Sequence, residues 1–244
     1  NFVKRFTLVY KIAWFNFFND EDTSTYWYRT RGELNLESSF LLVTRAEKQP
    51  QDKLLNAALV LFSEKGYRDT TVLDIVAYAR VSKTTFYNFY KSKEDMLAHL
   101  FETLLEEVLT MVKLAAQRET IITDKAYAGI KQYVEICLQE HDVARLLLVS
   151  SVGISDRIEE LRKQAYDRFA LFIYETVRSE LGFLDSATDE EVHLFSQAMV
   201  GAINQVVIQQ IIQPNGKKSV SADHVARFLN RIVVGSYMFL LAEQ

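Results

Sequence analysis

The chain has 244 residues, of which 49% are hydrophobic and 25% are charged, and its formal net charge is -4 at pH 7. This composition excludes wholesale disorder, because enough apolar side chains are present to form a core. It also excludes a polycation that would bind nucleic acid over its whole surface. Only two prolines and eight glycines interrupt the chain, which favours long helices over many turns.

Residues 1–47 differ from the rest of the chain. Aromatic side chains crowd this segment without a sustained helical period. We interpret residues 1–47 as an extension that is not part of the native fold; the alternative is a hydrophobic arm that docks on the body of the protein. The apolar run from Ile12 to Phe18 is too short to span a bilayer, so we expect no membrane partner.

Two helices are predicted next. The first runs from about Gln51 to Lys65 and ends at Gly66, a residue suited to the left-handed position that follows a helix. In the stretch from Val72 to Ala79 the apolar residues recur at i, i+3, i+4 and i+7, which predicts a second helix. Thr71 can cap it, with Asp74 three residues later completing a capping box.

A third short helix follows a tight break. Ser82 can cap the segment from Lys83 to Tyr90, which is predicted to bury Phe86 and either Phe89 or Tyr90. Two helices joined by a three- or four-residue turn are typical of a helix-turn-helix, whose second helix can lie in the major groove of DNA. Such helix pairs also occur in small all-α cores that bind no DNA.

The polar residues of this third helix suit DNA binding. Lys83 can reach a phosphate or guanine, and Asn88 can pair with adenine. Thr84 and Thr85 can contact a thymine methyl group or a phosphate.

The order of these segments resembles the DNA-binding domain of the TetR/AcrR family of bacterial regulators. The stretch from Lys53 to Tyr67 is similar to the first helix of that family, and Thr70-Thr71 opens the second helix as it does there. The stretch from Val81 to Tyr90 is similar to the recognition helix, and Lys91 to Leu97 to the start of the fourth helix. The resemblance implies these DNA contacts: Thr70, Thr71, Arg80, Ser82, Lys83, Thr84, Thr85, Tyr87, Asn88, Tyr90 and Lys93.

Two residues depart from the family pattern. Thr84 stands where a small residue is common. Arg80 stands where the family usually has the glycine of the turn. Arg80 must therefore avoid or tolerate a positive φ, and its side chain can add a phosphate contact.

The remainder of the chain is predicted to be helical throughout. Ser92 with Asp95 indicates a capping box that opens a fourth helix, extending to about Arg118. Further helices are predicted over 124–140, 144–152, 155–181, 188–213 and 221–241. The fold class is all-α, with a three-helix helix-turn-helix head at residues 48–97 and a helical effector-binding and dimerisation body at residues 98–244.

The resemblance implies two further sites in this body. An effector pocket is expected from the apolar side chains of Leu104, Tyr127, Tyr133, Cys137, Tyr166, Phe169, Phe172 and Met199. The last two helices resemble the dimerisation pair of the family, with small and apolar residues at the interface: Ala198, Gly201, Ala202, Val206, Ile232 and Gly235.

No catalytic motif is evident. The four histidines are dispersed without metal-ligand spacing, so we expect no metal and no cofactor. Cys137 and His141 could share a helix face, but they have no third group nearby in sequence. A single cysteine is typical of a reducing cytoplasm.

These features predict a cytoplasmic, homodimeric repressor that binds a double-stranded DNA operator and releases it when a small apolar effector binds. One alternative is an activating or ligand-independent regulator of the same type. Another is an all-α enzyme that uses the apolar cavity.

Overall fold

A computed structural model describes residues 49–180, 188–212 and 221–242. Within these ranges every regular element is helical, which confirms the all-α class. The interpretation of residues 1–47 as an extension falls outside the described residues. No helix in the described ranges is long and apolar enough to cross a membrane.

The helices are named α1 to α9 in chain order. The head contains α1 (Pro50–Glu64), α2 (Val72–Ala79) and α3 (Lys83–Phe89). The body contains α4 (Lys93–Gln117), α5 (Ile122–Gln139), α6 (His141–Arg145), α7 (Asp156–Glu180), α8 (Asp189–Val207) and α9 (Ala222–Ala242). Helix α6 continues in a π-helical turn, Leu146–Ser150, and α8 in another, Ile208–Ile212. The sequence had predicted α-helix at both turns.

Local hydrogen bonds explain where α2 and α3 begin. The backbone N–H of Asp74 donates to Thr71 Oγ1 at 3.1 Å, and the N–H of Thr71 donates back to the Asp74 carboxylate at 2.8 Å, so the predicted capping box is confirmed. Hydrogen bonds to the Asp74 carboxylate lower its pKa to about 2; the bond from the Thr71 backbone has the largest effect, and the bond from Lys65 has the next largest. Ser82 caps α3, because its hydroxyl accepts the N–H of Thr85 at 3.0 Å.

The capping box predicted for α4 is only half right. Ser92 Oγ accepts the backbone N–H of Asp95 at 3.0 Å, as expected for an N-cap. The Asp95 carboxylate, however, accepts the N–H of Lys91 at 3.1 Å, one residue before the cap. The side chain therefore ties down the chain entering α4 instead of the cap residue itself.

One buried cluster joins the head to the body. Phe62 and Phe86 are fully buried in the head, and the same cluster extends along α4 through Leu97 to Val112. Residues of α5, α6 and α7 complete the cluster from the body side, and they include Ile158. The predicted boundary at residues 97 and 98 thus crosses a continuous core. Of the two candidates for burial at the end of α3, Tyr90 is buried and Phe89 is 43% exposed.

Arg80 ends α2 in the left-handed conformation, with φ 52° and ψ 45°. Among the described residues it is the one non-glycine residue with a positive φ. Its backbone N–H still donates to the carbonyl of Ala77 at 3.2 Å, so the turn is hydrogen-bonded despite the residue type. The left-handed conformation costs an L-residue roughly 1–2 kcal/mol.

We therefore expect Arg80→Gly to raise the free energy of unfolding by about 1 kcal/mol, because glycine adopts this conformation without a Cβ clash. Urea denaturation measures the change. Arg80→Ala is the matched control, since alanine removes the guanidinium but keeps the Cβ and should not stabilise the fold. Equal stability of the glycine and alanine variants would show that the conformation is not strained.

Candidate DNA interface and ligand cavity

Helix α3 presents a polar surface of the kind that the sequence predicts. The side chains of Lys83, Thr84, Tyr87 and Asn88 are exposed, and Phe86 anchors the opposite face in the core. Lys83 Nζ lies 5.9 Å from the centre of the Tyr87 ring, so the cation and the aromatic side chain form one patch. This arrangement leaves donors free for phosphates and base edges.

The preceding turn adds further polar groups to this surface. Thr71, Arg80 and Ser82 are exposed. The hydroxyls of Ser82 and Thr85 lie 2.8 Å apart, so each is already oriented by the other. Arg80 adds a positive charge directly before the recognition helix.

Three residues that were predicted to contact DNA form hydrogen bonds within the head. Thr70 has 0% exposure, and its hydroxyl donates to the carbonyl oxygens of Leu61 and Gly66. The Lys93 ammonium donates to the carbonyl oxygens of Tyr67 and Thr70 at 2.6 Å each.

Tyr90 is the third of these residues. It is buried, and its hydroxyl accepts a hydrogen bond from Gln51 Nε2 at 3.3 Å. Because Thr70 and Tyr90 are buried, direct DNA contact by their side chains is corrected to a supporting role, whereas DNA contact by the half-buried Lys93 stays a prediction. Their residue types suit phosphate contact, and only the tertiary packing shows that their polar atoms already have partners.

The body encloses an apolar cavity between α4, α5, α7, α8 and α9. It contains about 900 Å³ of empty space, including open solvent at its mouth. Its lining is mostly apolar, as is usual for small-molecule sites. The lining residues are Val112, Ala116, Ile122, Thr123, Lys125, Ala126, Gly129, Ile130, Tyr133, Phe169, Phe172, Ile173, Thr176, Val177, Phe195, Val200, Ile203, Asn204, Val233, Val234 and Tyr237.

Two polar side chains in the lining satisfy each other. The Tyr133 hydroxyl donates to Asn204 Oδ1 at 2.7 Å. Burial raises the pKa of Tyr133 well above its usual value, so this phenol stays neutral. The Tyr133 hydroxyl proton is therefore already committed to Asn204.

The structure brings only part of the predicted pocket together. Tyr133, Phe169 and Phe172 line the cavity. The other five predicted residues lie outside the lining: Leu104, Tyr127, Cys137, Tyr166 and Met199. Leu104 belongs to the core shared with the head, and Cys137 and Met199 are buried in two other clusters.

The two tyrosines of that group have other surroundings. The Tyr127 hydroxyl donates to Asp223 Oδ1 at 2.6 Å, which fixes its ring between α5 and α9. The Tyr166 side chain is 37% exposed.

Sequence reasoning also missed one wall of the cavity. Val233, Val234 and Tyr237 of α9 line it, although the whole helix was assigned to dimerisation. The available signal was that α9 is apolar on more than one face, which indicates burial against two different neighbours.

The predicted dimer residues lie on the outer faces of α8 and α9. Ala198 and Gly201 on α8 and Ile232 and Gly235 on α9 are exposed, and Ala202 and Val206 are half-buried. A Cβ built on Gly201 or Gly235 meets no atom of its own chain within 4 Å. Internal packing therefore does not require glycine at either position.

Larger apolar side chains share these outer faces. Leu194 of α8 is 58% exposed, and Phe239 of α9 is 65% exposed. Phe228 of α9 is also exposed. Exposed apolar groups in such number are typical of a surface that another protein covers.

An exposed polar helix, preceded by a tight turn and anchored in a helical core, defines a helix-turn-helix DNA-binding head. Residues 54–100 match the family described as bacterial regulatory proteins, tetR family. This match covers the head, and the resemblance of that part of the chain to the TetR family is confirmed.

Comparisons with individual proteins agree with this assignment. The chain is 23% identical over 173 residues to the fatty acid metabolism regulator protein of Bacillus subtilis, an alignment that covers 66% of this chain and 84% of that one. It is 29% identical over 136 residues to the uncharacterized regulator YfiR of the same organism, covering 54% of this chain and 64% of that one.

Solved structures show the same fold. The fatty acid degradation regulator FadR of Bacillus halodurans aligns with a TM-score of 0.67 at 18% identity, over 76% of this chain and 95% of that chain. FadR of Bacillus subtilis in complex with stearoyl-CoA aligns with a TM-score of 0.64 at 17% identity, over 75% of this chain and 96% of that chain.

We expect Lys83→Ala and Tyr87→Ala each to weaken operator binding by roughly 1–3 kcal/mol, because each removes a contact that the exposed face of α3 offers to DNA. Fluorescence anisotropy with a labelled operator measures the change. Lys163→Ala removes an exposed lysine of α7 and should leave the affinity unaltered. Wild-type affinity in both head variants would disprove the assignment.

Proposed function

We propose that this protein is a homodimeric repressor that dissociates from its operator when a ligand with a long apolar portion fills the cavity of the body. The observation that carries this proposal is the course of α4. Its first turns contribute Met96 and Leu97 to the core shared with the head, and its last turns place Val112 and Ala116 in the cavity wall. One helix thus contacts both the DNA-binding core and the ligand site.

The DNA-binding surface of the proposal is the exposed face of α3 with the turn before it. Lys83, Thr84, Tyr87 and Asn88 contact base edges and phosphates, and Thr71, Arg80, Ser82 and Thr85 contact the backbone. A single helix of this length offers few base contacts. Two copies held about 34 Å apart in successive major grooves supply the missing affinity and specificity.

The exposed faces of α8 and α9 provide the means to hold two copies. A twofold interface uses the same surface on both subunits, so small residues on one helix face allow its symmetry mate to approach closely. Gly201 and Gly235 have free space beside them in their own chain, which a partner helix can occupy. The neighbouring Leu194, Phe228 and Phe239 supply apolar area for association.

Helix α7 provides a second connection between cavity and head. Phe169, Phe172 and Ile173 of its middle turns line the cavity. At its N-terminal end the Arg157 guanidinium lies 3.4 Å from the Asp95 carboxylate at the start of α4. A ligand that separates α4 from α7 in the cavity therefore also changes the geometry beside the head. Such a ligand favours a state in which the two recognition helices no longer fit successive grooves.

The cavity lining supports an apolar ligand and binding without chemistry. Among the described lining residues none is a carboxylate, a histidine or a cysteine, so the pairs that usually perform acid–base or nucleophilic catalysis are not assembled there. A relative with the same fold is in complex with stearoyl-CoA. A long acyl chain is the ligand class that we propose for this cavity.

We expect stearoyl-CoA or stearate to release the wild-type protein from a labelled operator, and Ile173→Trp to abolish that response. The larger side chain fills the cavity and excludes the acyl chain. Leu171→Trp is the matched control, because Leu171 lies two residues earlier on the same helix, is exposed and does not line the cavity. Anisotropy titrations with and without ligand measure both effects. An unchanged response in Ile173→Trp would show that the ligand acts elsewhere, and a wild-type protein that ignores both ligands would favour a ligand-independent regulator.

We expect Ala202→Arg to separate the dimer and to reduce operator affinity sharply, since it places an unpaired charge in the interface. Sedimentation velocity at low micromolar concentration measures the assembly. Gly201→Ala refines the test. On a free helix face it should stabilise the fold by about 1 kcal/mol through higher helix propensity, whereas beneath a partner helix it should weaken the dimer. An intact dimer in Ala202→Arg would place the interface on another surface.

A further inference from the structure

The cavity has one charged residue in its lining. Lys125, in the first turns of α5, stands among lining residues of the described chain that are otherwise apolar, hydroxyl-bearing or amide-bearing. Its neighbours in the lining include Ile122 and Thr123 of the same helix and Thr176 and Val177 of α7. The charge therefore belongs to the end of the cavity formed by the start of α5 and the end of α7.

Lys125 is held by a carboxylate that is not part of the lining. Its ammonium lies 2.5 Å from Glu180 Oε1, and the two side chains retain 22% and 31% exposure. Glu180 is the last residue of α7. The pair is thus partly exposed: Lys125 belongs to the cavity lining, and its ammonium is paired with Glu180 beside it.

The Lys125–Glu180 ion pair does not stabilise α5 and α7 through their helix dipoles. A cation near the N-terminus of a helix and an anion at the C-terminus both oppose the helix dipole. Lys125 and Glu180 occupy these unfavourable positions in α5 and α7, respectively. Partly exposed pairs contribute only about 0–1 kcal/mol to stability. Stabilisation of the fold is therefore a weak explanation for placing a charge beside an apolar cavity.

We propose that Lys125 is the head-group site of the cavity and that its ligand is an amphiphile with an anionic head. This inference rests on the proposed function of the cavity and adds the charge of the ligand. The anionic group, a carboxylate or a phosphate, replaces Glu180 as the partner of Lys125. The apolar tail lies along Phe169, Phe172 and Ile173 toward the Tyr133–Asn204 pair, in which the tyrosine hydroxyl already has a partner.

The exchange of partners gives Glu180 a distinct and testable role. In the ligand-free protein Glu180 neutralises Lys125, so an anionic ligand must compete with it. Removing the competitor should tighten binding of an anionic ligand, and removing the lysine should weaken it. A neutral ligand of the same length should respond to neither change. If the ion pair were purely structural, its loss would change the affinity for every ligand in the same direction.

The test measures binding of three probes to the full-length protein by isothermal titration calorimetry: dodecanoate, dodecanoyl-CoA and 1-dodecanol. Lys125→Met should weaken binding of at least one anionic probe by roughly tenfold or more, as expected for loss of a charge-assisted hydrogen bond, and leave 1-dodecanol within about twofold. Glu180→Gln should tighten the same anionic probe. If Lys125→Met binds dodecanoate more weakly, the head group is a carboxylate. If it binds only dodecanoyl-CoA more weakly, Lys125 binds the phosphates.

Lys113→Met is the matched control. Lys113 Nζ lies 5.7 Å from the ring centre of the lining residue Phe172, yet Lys113 is not part of the lining. This variant should bind all three probes as the wild type does. Thermal melting of every variant verifies that the fold is retained.

Two results would overturn the head-group assignment. Equal weakening of all three probes in Lys125→Met would show that only the aliphatic stem of the lysine packs in the cavity. Weaker anionic binding in Glu180→Gln would show that the pair serves as a structural clamp. These outcomes differ from failure of the proposed function, in which no probe, 1-dodecanol included, binds the wild-type protein or alters its operator affinity.

Discussion

The structure depends on one buried core that crosses from the head into the body. Three short helices cannot bury enough apolar surface to fold alone, so α1, α2 and α3 must share a core with other elements. Helix α4 supplies that surface, and residues of α5, α6 and α7 close the cluster around it. The orientation of the recognition helix is therefore a property of the body as much as of the head.

Within this frame the recognition helix is positioned by local chemistry that the sequence reveals. Thr71, Asp74 and Ser82 act on backbone groups within three residues of themselves, so the starts of α2 and α3 could be predicted without tertiary information. The expected burial of Phe86 was enough to predict which face of α3 is exposed. Arg80 was also recognisable as a residue in a glycine position, and the turn keeps its left-handed geometry in spite of the strain.

The cavity could not be predicted to the same extent, because its walls come from five helices. Leu104 and Phe169 are both apolar residues on long amphipathic helices, yet one packs in the shared core and the other lines the cavity. The difference lies in helix rotation and in the distance between neighbouring axes, which composition does not encode. Lys125 was overlooked for a related reason. A lysine in a first helical turn looks like an ordinary solvated residue until the neighbouring helices bring an apolar cavity to it.

The contacts between head and body also indicate how much energy a ligand would supply under the proposed mechanism. The shared core contains side chains such as Phe62, Leu97 and Ile158 that are essentially inaccessible to solvent, and exposing even one such side chain costs about 1.5–3 kcal/mol. The polar contacts at the rim are weaker. Arg68 donates to the carbonyl of Gly153 at 3.4 Å, and Ser155 Oγ donates to the Glu94 carboxylate at 2.5 Å.

Exposed pairs such as Arg157–Asp95 contribute about 0–1 kcal/mol each. Together these rim contacts fall in the range of typical coupling free energies between two sites, about 1–3 kcal/mol. Under the proposed mechanism, a ligand in the cavity exchanges the rim contacts without opening the core. Under the proposed mechanism the head turns as a rigid unit on an intact apolar core, and the polar contacts around residues 153–157 set the energy difference between the two states.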